Sequence, residues 1–86
     1  MNETTFDGKK NVIGKTLAAL RRKNRLSQEQ LAARVQVMGV NLNQQLISRI
    51  ERDERYVTDF ELACFCRALR VTPQELLAAF EEEYPE

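Results

Sequence analysis

The sequence predicts an all-α protein, a compact bundle of five helices, on three observations. Apolar residues recur at three- and four-residue spacing along nearly the whole chain. No run alternates apolar with polar residues, and no hairpin is expected. Only three Gly and two Pro interrupt the 86 residues, while Ser27/Gln30, Thr58/Glu61 and Thr72/Glu75 each have the spacing of a capping box, a start signal for a helix.

The polar stretch 1–8 reads as a flexible N-terminus. A first helix follows from the stripe Val12 or Ile13, Leu17 and Leu20, and the cluster "RRKNR" closes it, with basic side chains facing the negative end of the helix dipole. Ser27 caps a second helix that buries Leu31 and Val35 and ends near Val35 or Gln36. The seven residues "QVMGVNL" break the pattern, after which Asn43 caps a third helix with Leu46, Ile47 and Ile50 inward. Thr58 opens a fourth helix, facing Leu62, Phe65, Cys66 and Leu69 to the core. Thr72 opens the fifth, with Pro73 at its first position, then Leu76, Leu77 and Phe80. Arg25 and Arg70 stand where glycine commonly ends a helix. A left-handed conformation there costs a non-glycine residue about 1 kcal/mol.

A chain of this length buries roughly 60% of its unfolded surface, so one small core is all that it supports. No apolar leader and no run of about 18 apolar residues is present, and a cytoplasmic location is expected. Cys64 and Cys66 lie two apart on a helix, where their side chains diverge, so reduced thiols are expected. There is no histidine, no glycine-rich phosphate loop, and no nucleophile beside an identifiable base. An enzyme, a metal site, a cofactor and a small-molecule ligand are therefore not expected. The net charge of zero hides an asymmetry. Residues 1–70 carry all 13 bases and eight acids, a net +5, and residues 71–86 carry five glutamates and no base. A basic body with an acidic tail over 81–86 leaves room for a local anionic partner.

Two helices joined by a turn, the second opening with short polar side chains, form the arrangement in which the second helix enters the DNA major groove. "LRRKNRLSQEQLAARV", "QQLISRIERDERYV" and "ELACFCRALRVTPQELL", in that order, resemble successive parts of the phage repressor and Cro-like helix-turn-helix family, often called the Xre family. The resemblance spans residues 13 to about 78, implies a lambda-repressor-like bundle over residues 9–80, and is strongest in a long-turn branch of the family. It implies that Gln28 contacts a phosphate and braces the third helix, and that Gln44 and Gln45 face base edges with Ser48 and Arg49 one turn on. It also implies that Arg21 pairs with Glu51 inside the fold.

The chemistry fits the same assignment. Glutamine offers a donor and an acceptor together, which suits adenine's N6 and N7, and arginine suits guanine's O6 and N7. Asn43 and Arg55 complete the candidate DNA-binding set, although Asn43 reads as a helix cap more than as a base reader. Gln28, Gln44 and Gln45 as solvated polar residues, and Arg49 set against the acidic loop "ERDER", are the alternatives. The expected function is a sequence-specific regulator of transcription, a repressor, acting on double-stranded DNA as a homodimer, since one such module buries too little surface for tight binding. Phe80 and Tyr84 are candidates for either the dimer surface or the core. The rival reading is a helix-turn-helix fold kept as a protein-interaction module, an antitoxin or anti-regulator.

Overall fold

The computed structural model describes residues 4–86. It contains α1 (Gly14–Lys23), α2 (Gln28–Val37), α3 (Gln44–Glu51), α4 (Asp59–Leu69), α5 (Pro73–Leu76) and α6 (Ala78–Glu83). The count is six where the sequence reading has five, because the last helix bends at Leu77 (φ −96°, ψ 2°). The backbone ladder runs through the bend: the Leu77 N–H donates to the Pro73 carbonyl at 2.9 Å, and the Glu81 N–H to the Leu77 carbonyl at 3.1 Å. One hydrogen-bonded run therefore changes direction, burying Leu76 and Leu77 against the core while Phe80 and Tyr84 turn to the N-terminal segment.

The capping residues do locally what their chemistry predicts. The side chains of Ser27, Thr58 and Thr72 each accept the N–H three residues on, and the Gln or Glu there reaches back. Asn43 accepts the Leu46 N–H at 2.9 Å. Helix ends are equally regular. Arg25, Gly39, Asp53 and Arg70 all have left-handed φ of 57–93°, and the residue after each returns its N–H to a carbonyl inside the helix, as in Leu26 to Arg21 and Val40 to Val35. Glycine occupies one of these four positions.

A single core holds Ile13, Leu17, Leu31, Val35, Ile47, Ile50, Phe65, Leu69 and Leu76. α3 packs on α1 and α2, and α4 packs on α1, α2 and α5. The α2–α3 turn is six residues, 38–43, because α2 runs to Val37. It is tied into the fold by buried Val40 and Leu42 and by Gln36, whose amide donates to the Leu42 carbonyl at 2.7 Å.

The N-terminal segment departs from expectation. Residues 1–3 lie outside the described residues, but Asp7 and Gly8 form a tight turn, both with φ > 0, and Phe6 pairs with Lys9 across it. Phe6 then packs on Phe80 and edge-on to Tyr84, with ring centroids 5.5 and 4.9 Å apart. The Lys9 ammonium meets the Glu83 carboxylate, and the Tyr84 hydroxyl donates to Asp7. Phe80 and Tyr84 thus pack against this chain's own Phe6.

Candidate nucleic-acid interface

α3 is amphipathic end to end as well as around its girth. Its second half is pinned: Ile47 and Ile50 are fully buried, and Gly14 of α1 approaches so closely that a Cβ there would lie 2.4 Å from the Ile50 carbonyl oxygen. Asn11 stitches the same junction. Its amide donates to the Ile50 and Arg55 carbonyls, and its carbonyl accepts the Ile13 and Gly14 N–H groups. Beyond the helix end, Asp53 accepts the Lys10 and Asn11 N–H groups at 2.8 and 2.9 Å. The first turn of α3 is by contrast open. Asn43, Gln45 and Arg49 are exposed, and Gln44 and Ser48 are half-buried.

A chain of polar side chains leads from the interior to that open end. Arg21 donates through Nε and Nη2 to the two Glu51 oxygens at 2.7 and 3.0 Å, and through Nη1 to the Leu26 carbonyl at 2.8 Å. The side chains of this pair are 10% and 6% exposed. Glu51 Oε1 also accepts the Gln28 amide at 2.9 Å, and Gln28 Oε1 accepts the Gln44 amide at 2.7 Å. Three helices are thereby joined through α3. The Gln45 side chain makes no hydrogen bond among the described residues.

The remaining expected residues divide. Asn43 spends its side-chain oxygen on the cap. Arg49 donates to the Glu54 carbonyl at 3.2 Å while staying exposed. Arg55 is occupied elsewhere, with Nη1 and Nη2 gripping the two Glu61 oxygens at 2.9 and 3.1 Å. Burial pushes the Glu61 carboxyl up, but the Arg55 guanidinium and the Thr58 N–H outweigh it and hold that group below its ordinary value. Arg55 is therefore a structural clamp between the α3–α4 loop and α4. Arg22, Lys23 and Arg25 are exposed at the end of α1, immediately before Gln28. The acidic α6 lies at the other end of α3, where Glu51, Arg52 and Asp53 share a cleft with Phe80, Glu83 and Tyr84.

The Gln28–Glu51 bond and the Arg55–Glu61 clamp have no local signature in the sequence. The Asp7-Gly8 turn does, since Asp-Gly is a strong tight-turn dipeptide. Among the described residues, no group of three His, Cys, Asp or Glu is placed to hold a metal ion, and no helix is long and apolar enough to cross a membrane. Cys64 and Cys66 are free, and burial pushes the Cys66 thiol up.

A family profile described as a helix-turn-helix domain matches residues 12–80, most of the chain. No curated protein and no solved structure shows significant similarity to it.

Proposed function

Because the chain belongs to the helix-turn-helix domain family, we propose that it is a sequence-specific double-stranded DNA-binding regulator of transcription, a repressor, with α3 as the helix that enters the major groove. One observation carries this reading: α3 is fixed in the core at its C-terminal half and open at its first turn, where Gln44 and Gln45 present amides. That end is the one from which a recognition helix contacts base edges. Arg22, Lys23 and Arg25, free of the acidic tail, supply phosphate contacts at the α1–α2 junction, and Gln28 stands beside them. Arg49 reaches the backbone or a guanine one turn along, and Ser48 lines the same face. Arg21, Glu51 and Arg55 serve the scaffold.

Homodimerisation on a two-fold-related site is part of the proposal, because one module buries too little surface for tight, specific binding. The test is a salt series with duplex fragments selected from random DNA. Affinity should fall linearly in log–log form as phosphate contacts are screened, and Gln45→Ala should cost roughly 1–3 kcal/mol at one base pair while leaving other positions unchanged. A protein with no salt-dependent affinity for any duplex would instead be the interaction module.

A further inference from the structure

We propose that the turn between α2 and α3 is a DNA-contacting element in its own right, with the Asn41 amide donating to a phosphate on the wall of the major groove opposite the one met by Arg22, Lys23 and Gln28. The inference rests on the DNA-binding role proposed above. It starts from how firmly the turn is built. Gly39, at φ 93°, reverses the chain after α2, and the Val40 N–H returns to the Val35 carbonyl at 3.1 Å. Val40 and Leu42 are both buried. Between them the Leu42 N–H donates to the Val40 carbonyl at 3.0 Å, which closes a three-residue turn with Asn41 at its apex. The Gln36 amide holds the Leu42 carbonyl at 2.7 Å, and Asn43 is held in the α3 cap by its side-chain oxygen. With both neighbours turned to the core, the Asn41 side chain is exposed. It makes no hydrogen bond among the described residues.

A fixed backbone thus presents an amide that nothing inside the chain engages. Asn41 stands two residues before the α3 cap, within about 7 Å of it along an extended chain, and so at the edge of the groove that the first turn of α3 enters. The length of α2 decides which wall it meets. A helix of 10 residues is about 15 Å long, more than the roughly 12 Å width of the major groove, and the first helix of such a pair crosses the backbone. The N-terminal end of α2 sets Gln28, close to the basic end of α1, against one strand. Its C-terminal end delivers the turn to the other. The chemistry suits that wall, since no charged residue lies between Arg34 and Arg49. No carboxylate there opposes a phosphate, and a neutral amide is the donor at hand. Such a contact strengthens binding without releasing a further counterion, because only a neutralising base does that.

The experiment uses the full chain and duplexes selected by it from random DNA. Asn41→Ala should weaken binding roughly tenfold, the scale of a hydrogen bond to a charged group, by the same factor on every duplex and with the salt slope and melting temperature unchanged. Asn41→Asp keeps the shape, replaces the donor by a carboxylate and should weaken binding further. Gln74→Glu, the same change of charge at an exposed position on α5, should stay within about twofold of the parent. Asn41→Lys should steepen the log–log salt slope by about 0.9, the value of one more neutralised phosphate. Duplexes carrying a single neutral methylphosphonate then locate the contact. The position at which the parent loses about tenfold and Asn41→Ala loses nothing more should lie on the strand opposite the phosphates to which Arg22→Ala is insensitive. An Asn41→Ala protein that binds like the parent, a loss confined to one base pair, or a contact on the same strand as that of Arg22 overturns the inference. Failure of the DNA-binding role itself is a distinguishable result, since the parent would then bind no duplex with salt-dependent affinity.

Discussion

Replacing Glu51 by alanine should unfold the domain well before it alters base recognition. The substitution removes both acceptors of Arg21 Nε and Nη2, leaving the guanidinium only the Leu26 carbonyl on Nη1. Breaking a buried pair from one side costs about 3–5 kcal/mol, because the surviving charge stays desolvated. With its side chain 10% exposed, Arg21 keeps a little access to water, which favours the lower end, about 3 kcal/mol. For a domain of this size each kcal/mol is worth roughly 4–8 °C, so the melting temperature should drop by about 12–24 °C. Circular dichroism melts of Glu51→Ala, Arg21→Met and the double variant Arg21→Met/Glu51→Leu form the assay. The double variant should recover much of the loss, since no unpaired charge remains. A Glu51→Ala protein melting within about 2 °C of the parent, or a double variant as unstable as the two single losses added together, would refute the reasoning.

Three further outcomes are expected. Gly14→Ala should cost about 1–3 kcal/mol in urea denaturation, the range for overpacking, because its Cβ would stand 2.4 Å from a backbone oxygen that has no freedom to withdraw; an unchanged midpoint would show that α1 slides on α3. Arg25→Gly and Arg70→Gly should each stabilise by up to about 1 kcal/mol by relieving left-handed φ of 58° and 57°, seen as a higher melting temperature additive in the double variant. The Arg55–Glu61 pair carries an acid limb. The folded carboxyl titrates below its ordinary 4.5, so its contribution is complete above that value and is lost as pH falls through the lower folded value. The difference in melting temperature between the parent and Glu61→Gln should accordingly be constant above pH 5 and shrink below about pH 4.

What was legible in the sequence is what local chemistry decides. Ser27, Asn43, Thr58 and Thr72 cap their helices within three residues, so the starts of α2, α3, α4 and α5 were readable from single side chains. Arg25 and Arg70 at left-handed positions were readable for the same reason. The end of α5 was not, because beyond Leu77 the chain packs Phe80 and Tyr84 on Phe6, more than 70 residues away in the sequence. Asp7-Gly8 carried a turn signal, but nothing nearby could say that Phe6 would find Phe80 and Tyr84. The same holds for the candidate site. Glutamines at the head of α3 were visible as candidate readers, whereas the fate of Arg55 turned on the path of the α3–α4 loop, which brings Glu61 into its reach. Charge count alone could not separate a clamp from a contact.

The zero net charge is a weak argument against a DNA face for the same reason that Arg55 is held by Glu61: charges act where they are placed. Lys9, Arg21, Arg52 and Arg55 are each matched by a carboxylate within the chain, so they add little to the outer field. Arg22, Lys23 and Arg25 have no such partner among the described residues and lie close to the first residue of α2. The excess glutamates sit on α6, at the C-terminal end of α3. An eight-residue helix is about 12 Å long, and the screening length at physiological salt is about 8 Å. The acids therefore lie beyond a screening length from the glutamines at the opposite end, and they are held there by Lys9 and by the Phe6 aromatic cluster. At low salt the screening length grows past the length of the helix, and the tail should then begin to oppose the duplex. That would bend the log–log salt plot of the parent below a straight line, and neutralising Glu81 and Glu82 should straighten it while leaving the slope at physiological salt unchanged.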